Sequence, residues 1–216
     1  MWSPEVASNM NFPAPLAVVG FLAACGGTVV ALASILILWF ARKPKLARLV
    51  AMVTAAAGVI YVAILLGFSA SSRSNTLAVG QEKYFCEIDC HLAYSVVDVK
   101  RQPSTSSTEL FVTLRTRFDE TTTSPSRPRD AELAPSPRQV RLVDGEGREF
   151  PPISTTGAAL MTPLKPAESY TTQLVFQVPR EASGLRLLIR TIPAWPDHVV
   201  IGDENSWLHQ KTYLAL

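Results

Sequence analysis

The sequence predicts an apolar helical hairpin, able to span a membrane twice, followed by an all-β antiparallel domain built as a sandwich or a barrel. Three observations predict this class. Of 216 residues, 48% are hydrophobic and only 18% charged, and the apolar excess lies almost wholly before residue 70. Two long uncharged runs flank a short cluster of four cations. Beyond them, side chains alternate with a period of two. An ordinary soluble domain carries about 25% charged residues, and the mean hydropathy here is +0.19. The bulk of the chain is too apolar to be disordered. A net charge of +2 offers no basic surface for nucleic acid, so no such partner is expected. Sixteen prolines argue against a mainly helical water-soluble fold, because each lacks a backbone donor.

From Pro15 to Phe40 the chain reads PLAVVGFLAACGGTVVALASILILWF without a charge. The run from Leu49 to Ser72, LVAMVTAAAGVIYVAILLGFSASS, is also uncharged. A helix of roughly 20 residues crosses the hydrocarbon core, and in lipid only a helix satisfies its own backbone. Helices are expected over about 15–41 and 47–70, joined by a loop over 42–48. Pro44 is expected to break the helix within that loop. The loop holds Arg42, Lys43, Lys45 and Arg48. Short loops rich in Lys and Arg stay cytoplasmic, so residues 1–14 and everything after the second span are expected outside, in the inner (cytoplasmic) membrane's periplasmic compartment. A cleaved signal peptide would need a basic region and a shorter apolar core; MWSPEVASNMNFPAP has no Lys or Arg.

Small residues recur at helical spacing: Ala23 and Gly27 on the first helix, Ala51 and Ala55, then Ala56, Ala63 and Gly67 on the second. They permit close backbone approach in lipid, either within the hairpin or to other integral membrane subunits. With no ionisable side chain in either span, an ion pathway or proton relay is not expected. Cys25, in mid-span, reads as a small apolar packing residue.

A linker is expected over 73–81 and a domain over 82–216. Alternation is plain in ELFVTLRTRF (Leu110, Val112, Leu114), SYTTQLVFQVP (Tyr170 to Val178) and GLRLLIR (Leu185, Leu187, Ile189), the mark of strands with one buried face. Further strands are expected over His91–Val99, Arg138–Val143, Arg148–Ile153, His198–Ile201 and Lys211–Leu216. The DGEG segment between Val143 and Arg148 reads as a hairpin turn. Asp119–Pro137, with four prolines and no apolar period, reads as a long surface loop. Seven to nine short strands with turns between them predict a sandwich or barrel.

VRLVDGEGREF, LKPAESYTTQLVFQVP and GLRLLIR together resemble the immunoglobulin-like sandwich domains of bacterial membrane-anchored proteins and lipoproteins. That resemblance covers about the last two-thirds of the chain. It implies an immunoglobulin-like β-sandwich acting as a binding or structural module. The layout of a helix hairpin followed by a β-sandwich is similar to subunit II of haem–copper oxidases, where two cysteines three residues apart help hold a copper pair. FCEIDCH gives Cys86 and Cys90 that same gap, followed directly by His91, with Tyr94 where the oxidase motif carries its histidine.

Four residues of extended strand span about 13 Å, whereas disulfide Cα atoms lie about 4.4–6.8 Å apart. Cys86 and Cys90 therefore bond only if the chain between them turns, and an oxidising compartment favours that bond. A soft-metal site is the competing use, since thiolate plus imidazole suits copper or zinc. Its further ligands would come from His198, His209 or Met161. A catalytic thiol is the third reading. Near the end, Asp203, Glu204, Asn205, Trp207 and His209 gather in HVVIGDENSWLHQKTY. These offer a carboxylate and an imidazole for catalysis, or a turn at Gly202–Ser206 with Trp207 anchoring the last strand. Trp195 and Trp207 are candidate partner-contact residues, because Trp is enriched at binding hot spots. No Gly-rich phosphate loop, Ser-His-Asp arrangement or zinc spacing stands in the sequence.

The expected function is a non-enzymatic accessory or scaffold subunit of a larger inner-membrane assembly, of the bioenergetic kind found in respiratory oxidases or photosynthetic reaction centres, with no cofactor and no catalytic residue. Its partners would be other integral membrane subunits and the lipid bilayer. Two alternatives stand beside it: a periplasmic copper-binding or electron-transfer protein using Cys86, Cys90 and His91, and a solute- or envelope-binding module.

Overall fold

Two long helices come first in the chain, α1 (Ala14–Phe40) and α2 (Pro44–Ser71). The structure, a computed structural model, describes residues 7–86, 90–103, 107–124 and 126–216. Both helices are long and apolar enough to cross a membrane, and their outward side chains, among them Val30, Ile37 and Phe40, are exposed. The link between them is shorter than expected. Pro44 does not break a helix but starts one, at the first-turn position where a missing N–H costs nothing and its fixed φ is already helical. Only Ala41–Lys43 turn the chain, with Arg42 in the left-handed region at φ 55°. So tight a link makes the helices antiparallel neighbours.

The alternating strands build a β-sandwich, with two five-stranded sheets among the described residues. One contains β2 (Lys83–Phe85), β3 (Leu92–Pro103), β4 (Ser107–Phe118), β7 (Ser154–Gly157) and β8 (Ser169–Pro179), in the order β2-β3-β4-β8-β7. The other contains β1 (Asn75–Leu77), β5 (Arg138–Val143), β6 (Glu149–Phe150), β9 (Arg186–Thr191) and β10 (Thr212–Ala215), in the order β1-β10-β9-β5-β6. The pairings of these strands are antiparallel except β1 with β10. Leu110, Val112, Leu114, Leu174, Phe176, Leu187 and Ile189 fill the space between the sheets, the inward sets that the alternation marks.

Several expectations need correction. The 73–81 linker contains β1, so the sandwich begins earlier than residue 82. The strand expected over Arg148–Ile153 shrinks to Glu149–Phe150, and β7 follows it where none is expected. His198–Ile201 is not a strand. Trp195–Val199 forms a 3₁₀ turn instead, because Pro196 sets a helical φ and the Asp197 carboxylate accepts the Ala194 N–H at 3.0 Å. The described residues of the 119–137 loop are mostly irregular, but Glu120–Thr122 closes a 3₁₀ turn and Leu133 bridges to Leu164.

The turn expected at DGEG is present. Asp144 Oδ1 accepts the amides of Glu146 and Arg148 at 3.0 and 2.8 Å, and Gly147 takes the φ of +82° that closes it. The segment before α1 is likewise tied down. Tyr84 donates its amide to the Ala7 carbonyl at 2.8 Å, and Asn9 donates to the Tyr84 carbonyl at 3.0 Å. This covers the outer edge of β2, which would otherwise present unpaired backbone groups.

Candidate functional site

Sequence-marked residues converge on one corner of the sandwich, where β2 ends and β4 runs out. Cys86 and Cys90 are joined in a disulfide with their Cα atoms 4.2 Å apart; residues 87–89 between them lie outside the described residues. Asn9 grips the near half of this loop, its Oδ1 accepting the Cys86 amide at 2.7 Å. His91 is buried, and its ring stacks on Phe118 with centroids 5.5 Å apart. The Thr122 hydroxyl donates to the Asp119 carbonyl at 2.7 Å, so at 2.6 Å from His91 Nδ1 it acts as acceptor and Nδ1 carries the proton. The disulfide leaves no thiolate for a soft metal, and Nδ1 is occupied. In this state the corner does not fit the copper pair that the oxidase likeness implies.

The remaining candidate ligands do not join it. Met161 is 52% exposed. His198 presents Nδ1 to the Asn205 carbonyl at 2.8 Å, inside its own segment. Among the described residues, no three His, Cys, Asp or Glu side chains gather as a metal site. Cys25 is a free cysteine and exposed on α1, not packed within protein.

Beside the disulfide lies a charge network that the sequence alone does not reveal. Arg117 on β4 donates from Nε and Nη2 to Glu82 at 2.8 and 2.7 Å and from Nη2 to Asp119 at 3.1 Å. Arg115 adds a bond to Glu82 at 3.1 Å. Tyr84 donates its hydroxyl to Asp119 Oδ2 at 2.5 Å, and Thr121 donates both amide and hydroxyl to Oδ1. Burial pulls the Asp119 carboxyl up, but hydrogen bonds from Tyr84, Thr121 and Arg117 outweigh it and hold it at about 2. Hydrogen bonding to Arg117 keeps Glu82 below the usual carboxylate range. Burial, then the bond to Asp119, pushes Tyr84 well above an ordinary tyrosine. Every acidic oxygen named here is engaged, so the arrangement locks a strand end and presents no activated acid or base. Arg115 and Arg117 alternate with core residues in RTRF, a signal that marks their face but not their partners.

Lys83 is a second residue that sequence reasoning passes over. Fully buried, it donates from Nζ to the carbonyls of Ile189 at 2.7 Å and Thr212 at 3.1 Å, and sits 5.0 Å from the Phe85 ring centre. A side chain of one sheet thus ties two strands of the other. Lys83 shares an inward face with Phe85, two residues on, and that spacing in KYF is the one local signal of its direction.

Residues Ala194–His209, between β9 and β10, belong with the helix hairpin, not the sandwich. Tyr61 on α2 donates its hydroxyl to the Val199 carbonyl at 2.7 Å. Ser69, buried near the end of α2, lies 3.1 Å from Ser206 Oγ. Asn11 and Phe12 complete the packing: Asn11 donates to the Phe68 carbonyl at 2.8 Å, and Phe12 meets Phe68 edge-on at 4.8 Å. Gly202, at φ +77°, lies so close to Phe12 that a Cβ would come within 2.5 Å of the Phe12 Cβ. The Gly202–Ser206 turn is therefore present. Trp207, however, does not anchor the last strand: it is 53% exposed and β10 starts only at Thr212. Trp195 is 73% exposed. A groove of about 870 Å³ runs along the hairpin, lined by Phe21, Ala24, Gly27, Gly58 and Tyr61, with Trp195 among its walls.

No family model and no curated protein matches the sequence. Among solved structures, the chain is similar to an uncharacterized β-sandwich protein from Clostridium difficile 630, at 7% identity and a TM-score of 0.40, over 67% of this chain and 95% of that one.

Proposed function

We propose that this protein is a non-enzymatic accessory subunit of a larger inner-membrane assembly, of the bioenergetic kind. The hairpin spans the bilayer twice with Ala41–Lys43 on the cytoplasmic side, and an immunoglobulin-like sandwich stands outside with both termini. The observation that carries this reading is the hairpin groove. Its lining includes Ala23, Ala24, Gly27, Ala57 and Gly58, small residues that let a neighbouring backbone come close in lipid. It has the character of a seat for a transmembrane helix of another subunit.

Two further facts support it. The ladder between Ala7–Asn9 and Tyr84 joins chain before α1 to chain after α2, which agrees with two spans and with both ends on one side. The polar network around Asp119 is satisfied from within the sandwich, as a structural lock at the end of β4 would be. Purification in mild detergent, with identification of co-eluting subunits, tests the proposal. The expected result is stoichiometric integral membrane partners, lost on Gly27→Leu together with Gly58→Leu. A protein that runs alone in several mild detergents, with or without those changes, contradicts it.

A further inference from the structure

The segment Ala194–His209 touches α2 at two heights. Val199 meets Tyr61 and Ser206 meets Ser69. Eight residues of helix separate Tyr61 from Ser69, a rise of about 12 Å at roughly 1.5 Å per residue. The segment therefore descends along the helix from its Ser71 end. If the hydrocarbon core begins at Arg48, the last cation of the sequence between the uncharged runs, then roughly 20 residues bring its far boundary to Phe68. Ser69 sits at that boundary, and Tyr61 lies about 10 Å inside it.

The chemistry of the segment follows the same gradient. At the level of Ser69 stand Asp203, Glu204, Asn205 and Ser206, of which the last three are buried. At the level of Tyr61 stand Trp195, Pro196, Val199 and Val200, with Trp195 exposed. Asp197 and His198 are the exceptions in the deeper half: the Asp197 carboxylate accepts the Ala194 amide, and His198 Nδ1 lies 2.8 Å from the Asn205 carbonyl.

Irregular backbone survives at membrane depth only when its polar groups are satisfied by protein. Here the amides of Asp197, Val200, Asp203, Ser206, Trp207 and His209 all donate to carbonyls within the segment, and that of Asn205 donates to the Asp203 carboxylate. Trp207 and Leu208 are 53% and 72% exposed, and the Trp207 amide donates to the His198 carbonyl at 3.3 Å, which ties the end of the segment back to its deeper half.

We propose that Ala194–His209 is a membrane-inserted loop of the outer leaflet, with Trp195 in contact with lipid acyl chains when the protein stands free of partner subunits. This rests on the reading of α1 and α2 as membrane spans. Its occupant is lipid, not a soluble ligand, and the loop fastens the connection between β9 and β10 to the bilayer.

The full-length protein in phosphatidylcholine–phosphatidylglycerol vesicles with brominated acyl chains tests it. In a variant keeping Trp195 as sole tryptophan (Trp2→Phe, Trp39→Phe, Trp207→Phe), bromolipid is expected to quench most of the emission and aqueous iodide little of it. Quenching by iodide alone places the loop in water and overturns the proposal. Protection from both quenchers means that protein covers Trp195, a second copy included, and overturns it too. Leu32→Trp in the background lacking the other tryptophans separates the two readings. If it is quenched by bromolipid while Trp195 is not, only the loop proposal fails; if it is not quenched, the membrane spans themselves fail. The wild-type chain gives an independent readout with a photoactivatable lipid. Labelled peptides are expected from Ala194–Leu208 as well as from the helices, and labelling confined to α1 and α2 contradicts the proposal.

Discussion

The sandwich and the helix hairpin distribute their large apolar side chains in opposite ways within one chain. In the sandwich, Tyr94, Leu114, Phe118 and Phe176 are wholly buried, and the buried Lys83 ammonium is satisfied by the carbonyls of Ile189 and Thr212. In the hairpin, Val29, Val30, Ile37 and Phe40 face outward, and the well-buried positions include small or polar residues such as Ala17, Ala47 and Ser69. A fold driven by exclusion of water puts its large apolar groups inside. The hairpin reverses that order, as expected of helices whose outer surface meets lipid and whose contacts are made by small residues. The difference teaches that burial carries the stability of one region and not of the other.

The comparison breaks most sharply at matched truncations. Phe176→Ala removes a fully buried ring between the sheets and is expected to cost about 3–5 kcal/mol, read by denaturant unfolding of the full-length protein. Ile37→Ala on the outer face of α1 is expected to shift the same transition hardly at all, since it leaves no cavity. Equal losses at both positions would mean that the hairpin face is packed against protein.

Next in size is the disulfide. Cys86→Ser opens the short loop closed across a separation of four residues, for which chain-entropy reasoning gives about 2 kcal/mol. The melting temperature of the sandwich should fall, while changes at Cys25 leave it unmoved. The Asp119 network supplies a comparable effect with a pH signature. A carboxyl held at about 2 in the fold, against an ordinary value near 4, contributes stability that is fully present above pH about 4. That contribution shrinks as pH falls and is gone below pH about 2. Asp119→Asn should therefore cost about 2 kcal/mol at neutral pH, and its deficit relative to wild type should close across that acid window. A deficit independent of pH would assign the loss to packing.

The smallest effect belongs to the hairpin. Tyr61→Phe deletes one hydrogen bond to the Val199 carbonyl and is expected to cost about 1 kcal/mol. It should show as faster hydrogen exchange within Trp195–Val200, with the strands unaffected.

Legibility of the sequence divides along the same line. Where one face of an element meets a single solvent, periodicity displays it: β4, β8 and β9 and both helices stand close to where the alternation and the uncharged runs put them. Elements fixed by long-range pairing leave no such mark. β1 is three residues long and exists because it lies beside β10, at the far end of the chain. Lys83 goes unmarked in the sequence, because nothing local reveals the Ile189 and Thr212 carbonyls that receive it. The 3₁₀ turn at Trp195–Val199 reads as the approach to a strand because VVI favours β, while Pro196 and Asp197, just before it, set a helical turn. The Cys86–Cys90 bond is one of three uses that the sequence leaves open for this pair, and it is the one the structure holds. Asn9 as its support is beyond any local reading.

We propose that α1 and α2 span a membrane, with residues before α1 and after α2 on the side opposite the cationic link. A topology reporter active only outside the cytoplasm tests it most directly, fused after Leu216 in one version of the protein and inserted between Lys43 and Lys45 in another. Activity at Leu216 and silence at the Lys43–Lys45 link is the predicted result. The reverse pattern, or activity at both positions, would contradict the account.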